Sequence, residues 1–423
     1  MKRKRKIELM KDFIGYRCSV CATEYQPQEI SYTCPKDGGN LDVILDYEKI
    51  RGSVSLEDVL KSNDFSIWRY LPLLPVGDPG YSGTALRSVG WTPIYYPRNL
   101  ARKLGVRQLW LKDDGRNPTA SFKDRASAVV VARAKEINAE VVVTASTGNA
   151  GAALAGMAAA ANHQAVIFAP KTAPPAKVAQ LLVFGARVLL VDGNYDQAFD
   201  LSIEAAKEFG WYCRNTGYNP FTAEGKKTAA FEIWEQVIFS GGLKNSLNVF
   251  VSVGDGNIIS GIHKGFKDLI EIGWLDHMPR IFGIQSEGSA SVANAYFAGN
   301  EIIEPVKAAT LADSISVDLP RDGLRAVRAA TQTGGRYITV SDKAIIDCIA
   351  LLGKEGIFVE PAASTAYAGL INAVQEGHIQ PNDPVLVMLT GSGLKDVKAA
   401  TMSVEAAPII EPSLAAVKKT LNI

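Results

Sequence analysis

Past a Pro/Gly-rich stretch at residues 71–83, short and nearly unbroken apolar runs alternate with longer, Ala-rich segments. The runs at residues 106–111, 140–144, 165–169, 187–191, 248–253, 280–285 and 384–389 read as strands. Continuous apolarity, rather than strict alternation, is what strands covered on both faces show. Between them, residues 127–136, 152–161, 175–184 and 195–209 have helical character, and Gly185 and Gly210 stand where left-handed caps close helices. This rhythm predicts an α/β fold of mostly parallel twisted sheets, with ligands gathered at the carboxyl ends of strands. No internal repeat or low-complexity segment interrupts it.

A chain of 423 residues is too long for one compact core, so two lobes and a small appendage are expected. The division places a basic tail and ribbon-like module at residues 1–50, and a large lobe at residues 51–126 and 213–402. A smaller, mobile lobe takes residues 127–212, and residues 403–423 form a tail of weak helical character. A net charge of +1 argues against a broad footprint for nucleic acid or an anionic membrane. No apolar run approaches the ~20 residues of a membrane span. Five consecutive Lys/Arg residues at positions 2–6 precede no apolar stretch, so they read as a solvated tail rather than a secretory signal. The five cysteines make no disulfide framework, and a cytoplasmic location is expected.

Residues 16–47 are punctuated differently. Cys18 and Cys21 form one turn, Cys34 and Asp37 another, and strand-like residues 41–45 follow. Two such turns suggest a zinc-ribbon hairpin. Asp37 stands where a second Cys-x2-Cys would supply a thiolate, and structural zinc sites usually take sulfur and nitrogen ligands. A bound structural zinc and a metal-free remnant of a ribbon are both consistent with this set.

Four further motifs carry chemistry. In Asn117-Pro-Thr-Ala-Ser-Phe-Lys123-Asp-Arg125, a lysine at a loop-to-helix junction is a sensible Schiff-base donor, provided its amine has room and a lowered pKa. Taken alone, a Lys flanked by Asp and Arg is more often a solvated helix start. Ser146-Thr147-Gly148-Asn149 lies between a strand and an Ala-rich helix, where hydroxyls and amides suit a carboxylate and an Asn can bond a phenolate oxygen. Gly254-Asp255-Gly256-Asn257 follows a strand, and its glycines let backbone N–H groups surround a phosphate. Thr390, also directly after a strand, offers a hydroxyl to a heterocyclic nitrogen or to the following turn.

In order and content these motifs resemble the fold-type II pyridoxal-5′-phosphate (PLP) enzymes of the tryptophan synthase β-like superfamily, and most closely the threonine synthases. The resemblance runs from about residue 16 to residue 398. It implies two α/β lobes with PLP between them and Lys123 as the Schiff-base residue. It further implies Asn149 on the cofactor's 3′ oxygen, Gly254 to Asn257 around its phosphate, and Thr390 at the pyridine nitrogen. Ser146 and Thr147 would hold the carboxylate of an amino-acid substrate. The implied reaction converts O-phospho-L-homoserine and water to L-threonine and phosphate, without a metal. Relatives are commonly homodimers. A hydroxyl at the pyridine nitrogen leaves the ring a weaker electron sink than a carboxylate would, which favours prompt elimination over transamination.

The chain also departs from that family. Threonine synthases usually show Asn-Pro-x-Arg-x-Glu-Gly-x-Lys-Thr in the segment that reaches the substrate phosphate. Here residues 219–228 carry Thr222 at the Arg position. A hydroxyl cannot replace the paired charge-assisted bonds of an Arg fork. Lys226 and Lys177 are the cations that the sequence offers in exchange, without placing either. The phosphate loop is one residue shorter than the family's, and Asp255 sets a negative charge near a dianion. Thr222 therefore keeps a second reading open, β-elimination or β-replacement on another amino acid, as in threonine/serine ammonia-lyases or sulfur-amino-acid synthases. A binding protein without turnover is a third reading, opposed by the intact Lys123, Ser146 and Asn149.

Overall fold

The computed structural model describes residues 12–30, 32–243 and 246–423. The basic tail at residues 2–6 lies outside them. The N-terminal module is an antiparallel sheet of β1 (Phe13–Cys18), β2 (Glu24–Tyr25) and β3 (Leu41–Leu45), with β1 in the middle. Leu41, Val43 and Leu45 are buried and the residues between them are not, the period of a strand with one covered face.

The chain then forms β4 (Ile94–Tyr95) and β5 (Gln108–Asp113), and leaves them to build a separate parallel sheet. That sheet comprises β6 (Val141–Ala145), β7 (Gln164–Pro170), β8 (Arg187–Val191) and β9 (Tyr212–Cys213), in the order β8-β7-β6-β9. Afterwards β10 (Asn248–Ser252), β11 (Arg280–Ser286), β12 (Arg336–Val340) and β13 (Pro384–Leu389) rejoin the earlier pair. The resulting order is β12-β11-β10-β13-β5-β4, parallel except for the β4 edge. The expected parallel α/β architecture is therefore present, and each of the seven apolar runs is a strand with ends shifted by at most two residues. Three strands of the two larger sheets were not anticipated. β4 and β9 are two residues each, and β12 interleaves Arg and Thr with apolar residues, so none gives a continuous apolar run. The C-terminal helix Leu414–Leu421 buries none of its residues. Among the described residues no helix is long and apolar enough to cross a membrane.

Five segments with candidate chemistry follow strands, at their carboxyl ends. Residues 146–149 follow β6, Arg214 follows β9, residues 254–257 follow β10, and Thr390 follows β13. The lysine loop follows β5 after a short 3-10 turn.

The junction between the sheets is held by buried charge. Arg125 Nε meets Asp114 Oδ2 at 2.5 Å and its Nη1 meets Glu232 Oε1 at 2.5 Å, while Lys112 Nζ reaches Glu232 Oε2 at 2.7 Å. Two cations face two carboxylates, all fully buried. The surroundings respond as burial and pairing require: facing Arg125 and Lys112, Glu232 is held down to about 2 in spite of its burial. The helix Phe221–Lys226 packs against the lysine helix Lys123–Glu136 at Gly225, where a Cβ would lie 2.1 Å from the Arg125 carbonyl oxygen. Replacing Arg125 by Met leaves two buried carboxylates facing one lysine. We expect Arg125→Met to cost about 3–5 kcal/mol, read as a lowered urea midpoint at unchanged slope; a variant as stable as the parent would show that the cluster does not anchor the junction.

Candidate active site

Lys123 starts the helix Lys123–Glu136. Ala120, three residues earlier, takes a left-handed φ of +64°, and the turn it makes is pinned to the end of β13. The Phe122 N–H donates to the Thr390 carbonyl at 2.9 Å, and the Ser392 N–H donates to the Ala120 carbonyl at 3.1 Å. Asp124 accepts the Thr119 N–H at 2.6 Å and also the Thr119 hydroxyl, and burial pushes its carboxyl up to about 6. These bonds fix the first turn of the helix, and the Lys123 side chain lines a cleft of about 820 Å³.

Burial depresses the Lys123 pKa; the nearby Arg214 adds to the effect, while Glu360 and Asp255 oppose it. Among the described residues no carboxylate forms an ion pair with its amine. Ser146, Thr147 and Asn149 line the same cleft. The Gly148 N–H donates to Ser146 Oγ at 3.2 Å, and the helix Asn149–Ala160 begins directly behind. Asn149 Nδ2 donates to Glu360 Oε1 at 2.8 Å and Oε2 at 3.0 Å, and burial raises the Glu360 pKa.

Across the cleft lie Gly254, Asp255, Gly256 and Asn257, at the start of the 15-residue helix Asn257–Glu271. Gly256 has a φ of +87°, and a Cβ there would lie 2.6 Å from the Asp322 carbonyl oxygen. Asn257 Nδ2 donates to Asp322 Oδ2 at 2.7 Å, and Asn257 Oδ1 accepts Lys226 Nζ at 2.5 Å. Asp255 Oδ1 accepts the Arg321 N–H at 3.3 Å, and burial raises its pKa toward the neutral form. The negative charge expected to disfavour a dianion is thus tied to the loop at residue 321 and weakened by its surroundings.

The sequence-derived cofactor residues therefore meet in one cleft. Thr222 does not line it: its hydroxyl lies 2.7 Å from the Asn219 carbonyl and 3.1 Å from Asn257 Oδ1, fully buried behind the loop. This arrangement does not bring Thr222 to a substrate in the cleft, because its side chain is buried against Asn219 and Asn257 rather than on the lining. Lys177 lines an adjoining pocket rather than the cleft, paired with Asp313 at 2.5 Å. Three cleft residues lacked a decisive sequence signal. Glu360 belongs to a Glu-Pro-Ala string that a strand-ending turn explains equally well. Ser314, 3.4 Å from Asn149 Nδ2, carries no motif. Neither does Arg214, which follows a two-residue strand.

The cleft fits the cofactor that the resemblance implies. A glycine cradle opens a helix N-terminus, suited to a phosphate. Lys123 offers an amine free of carboxylate pairing. Ser252 Oγ and Arg214 Nη2 are buried without a hydrogen-bond partner, and both residues line the cleft. Buried polar groups normally have partners, so a polar ligand is what these atoms lack.

Outside the cleft, the ligand atoms of Cys18, Cys21, Cys34 and Asp37 all lie within 4.8 Å of one another. Cys21 Sγ and Cys34 Sγ are 3.8 Å apart, and Cys18 Sγ is 3.3 Å from Asp37 Oδ1. Tetrahedral zinc with sulfur at about 2.3 Å needs ligand separations of about 3.8 Å, so the set fits zinc.

Comparison with known proteins agrees with this geometry. A family model described as "Pyridoxal-phosphate dependent enzyme" matches residues 85–391. The threonine synthase of Methanocaldococcus jannaschii is 39% identical over 409 residues, covering 96% of this chain and 99% of that protein. That of Methanosarcina acetivorans is 36% identical over 408 residues, covering 96% and 98%. Among solved structures, diaminopropionate ammonia lyase from Escherichia coli aligns with a TM-score of 0.64 at 18% identity, over 81% of this chain and 94% of that one. Threonine deaminase isoform 2 from Solanum lycopersicum aligns with a TM-score of 0.63 at 22% identity, over 82% and 85%. These two likenesses establish the shared fold.

Gly256→Ala would force a side chain into a left-handed residue against backbone. We expect it to weaken cofactor retention at least about tenfold, measured as absorbance remaining after dialysis; full retention would mean that the loop does not cradle the cofactor phosphate.

Proposed function

Since this chain belongs to the pyridoxal-phosphate-dependent enzymes and, within them, to the threonine synthase family, we propose that Lys123 and the cleft around it carry out that family's reaction. O-phospho-L-homoserine and water become L-threonine and inorganic phosphate. The observation that carries this reading is the Lys123 amine, desolvated and unpaired by any carboxylate, facing a glycine cradle across one cleft.

The bound cofactor supplies an electron sink that lets bonds to the substrate's α carbon and its neighbours break. Gly254 to Asn257 hold its phosphate with backbone N–H groups at a helix N-terminus. Asn149 directs an amide proton to the 3′ oxygen, oriented by its bonds to Glu360. Thr390 meets the pyridine nitrogen with a hydroxyl, which does not hold a proton there as a carboxylate would. Ser146 and Thr147, with the amides at the start of the helix Asn149–Ala160, receive the substrate carboxylate.

Lys123 moves the protons. Its depressed pKa enlarges the share of neutral amine, the form that acts as a base for the α and then the β proton. The Cγ–O bond then breaks with its electron pair leaving on phosphate. Water adds its hydroxyl at Cβ, and protons returned through Lys123 complete threonine. The small sheet β8-β7-β6-β9 carries the carboxylate-binding turn. Closure of residues 127–212 over bound substrate would exclude water from the early steps.

The four ribbon ligands hold a structural zinc, with Asp37 as the oxygen ligand. Its role is to fix the turns of a module too small to keep them by core packing alone.

Phosphate and threonine measured in one tube, with O-phospho-L-homoserine and PLP-loaded protein, test the reaction. Equal amounts of both are expected, and Lys123→Ala should lower the rate by at least about 10³-fold. A PLP-loaded protein that releases no phosphate would transfer the assignment to β-elimination or β-replacement. For the ribbon, metal analysis should find one zinc per chain, lost in Cys21→Ser together with several degrees of melting temperature. A metal-free parent protein would refute the zinc site.

A further inference from the structure

Among the described residues the buried Lys and Arg side chains are ion-paired, with two exceptions that share the cleft with the half-buried Lys123. Arg125 pairs with Asp114 and Glu232, Arg325 with Asp322 and Asp42, and Arg69 with Glu235. Lys227 meets Glu224 at 2.5 Å and Asp268 at 2.6 Å. Lys226, its neighbour in sequence, is fully buried, and its Nζ reaches only the amide oxygen of Asn257. Arg214 is likewise fully buried. Its Nε bonds Ser127 Oγ at 3.2 Å and its Nη1 bonds Thr216 Oγ1 at 2.7 Å, while Nη2 has no partner. Neither cation forms an ion pair among the described residues.

A buried guanidinium without a counter-ion is unfavourable unless a ligand supplies one. The cleft must take two phosphates if the reading above holds, one on the cofactor and one on the substrate. Lys226 belongs with the first, because it touches Asn257 of the cradle. Arg214 stands on another wall, at the end of β9, with its backbone N–H fixed to the Val143 carbonyl at 2.7 Å. The guanidinium absent from position 222 is therefore available from position 214. Arg214 and Thr216 both line the cleft, and Nη2 is the one guanidinium nitrogen of Arg214 left without a partner.

We propose that Arg214 binds the γ-phosphate of the substrate, taking the place of the arginine that threonine synthases usually show at the position of Thr222. The inference rests on the reaction assigned above. A fork that Nε and Nη1 already orient through Ser127 and Thr216 presents its remaining donor without rotamer search, which makes the phosphate contact specific rather than a diffuse attraction.

The test uses the PLP-loaded holoenzyme, Arg214→Ala and Arg214→Lys, with three readouts. In Arg214→Ala, kcat/KM for O-phospho-L-homoserine should fall at least about 100-fold, chiefly through KM, and Arg214→Lys should recover about tenfold of that loss. Inorganic phosphate should raise the melting temperature of the parent holoenzyme and not that of Arg214→Ala, a readout that needs no turnover. The cofactor dissociation constant should stay within about twofold. Unchanged kcat/KM and unchanged phosphate stabilisation in Arg214→Ala would overturn the proposal. So would a cofactor affinity that falls tenfold while phosphate stabilisation persists, since Arg214 would then serve the cofactor. If the parent releases no phosphate from the substrate yet is stabilised by phosphate only when Arg214 is present, the assigned reaction fails and the anion site stands.

Discussion

The unequal pairing of buried charge is the constraint on which the rest of this structure depends. Arg125 and Lys112 balance Asp114 and Glu232 at the junction of the sheets, and Lys227 and Lys264 balance Glu224 and Asp268 one layer further out. Both clusters are neutral as sets, so they tolerate burial and hold the helices Lys123–Glu136 and Phe221–Lys226 in one relation. Two residues before Arg125, and one before Lys227, stand lysines that have no such balance. The frame thus turns neighbouring side chains to opposite places: one is paired inside the fold, the other lines the cleft. Arg214 then leaves the cleft an unbalanced guanidinium beside a helix N-terminus, which suits a dianionic phosphate, while burial holds Lys123 and Lys226 toward their neutral amines.

The N-terminal module is joined to that cleft by polar contacts. Asp42 on β3 meets Arg325 at 2.7 Å, Arg325 holds Asp322 at 2.6 Å, and Asp322 accepts Asn257, which in turn accepts Lys226. A second line of contact runs to the Arg214 segment. Tyr32 stacks on Tyr218 with ring centroids 4.5 Å apart, and its hydroxyl accepts the Cys213 N–H at 2.9 Å. Asn40 bonds the carbonyls of Gly217 and Arg321. Residues on both sides of the second ribbon turn therefore back the segment of Arg214 and the partners of Lys226. This gives a physical reason for a small sheet far from Lys123 to matter to the site.

Much of the fold was readable because its strands are covered on both faces. Such strands leave long apolar runs, and seven of the thirteen strands were visible this way. β12 escaped because Arg336 and Thr339 break its run, and β9 because two residues carry no period at all. The lysine helix starts at Lys123 rather than at residue 127, since its first turn is polar and its helical state depends on Thr119, Ser121 and the end of β13. Motif residues were readable for a different reason. Lys123, Asn149 and Gly254 to Asn257 sit beside small residues at strand ends, a local arrangement that backbone chemistry demands wherever a phosphate or carboxylate approaches.

The sequence by itself determined the strand–helix rhythm, the amine at residue 123, the glycine cradle, the turn at residues 146–149 and the spacing of the four ribbon ligands. Each is a property of neighbours along the chain, set by side-chain period and backbone freedom. Only the tertiary structure decided which cations are spent on pairing and which are left open, because a carboxylate partner comes from a distant segment. It turned Lys227 toward Asp268 and Lys226 toward Asn257, placed Glu360 on Asn149, withdrew Thr222 behind the loop, and left Nη2 of Arg214 unpartnered. Desolvation acts on position in space and not on position in sequence, and it is what separates the paired cations from those left in the cleft.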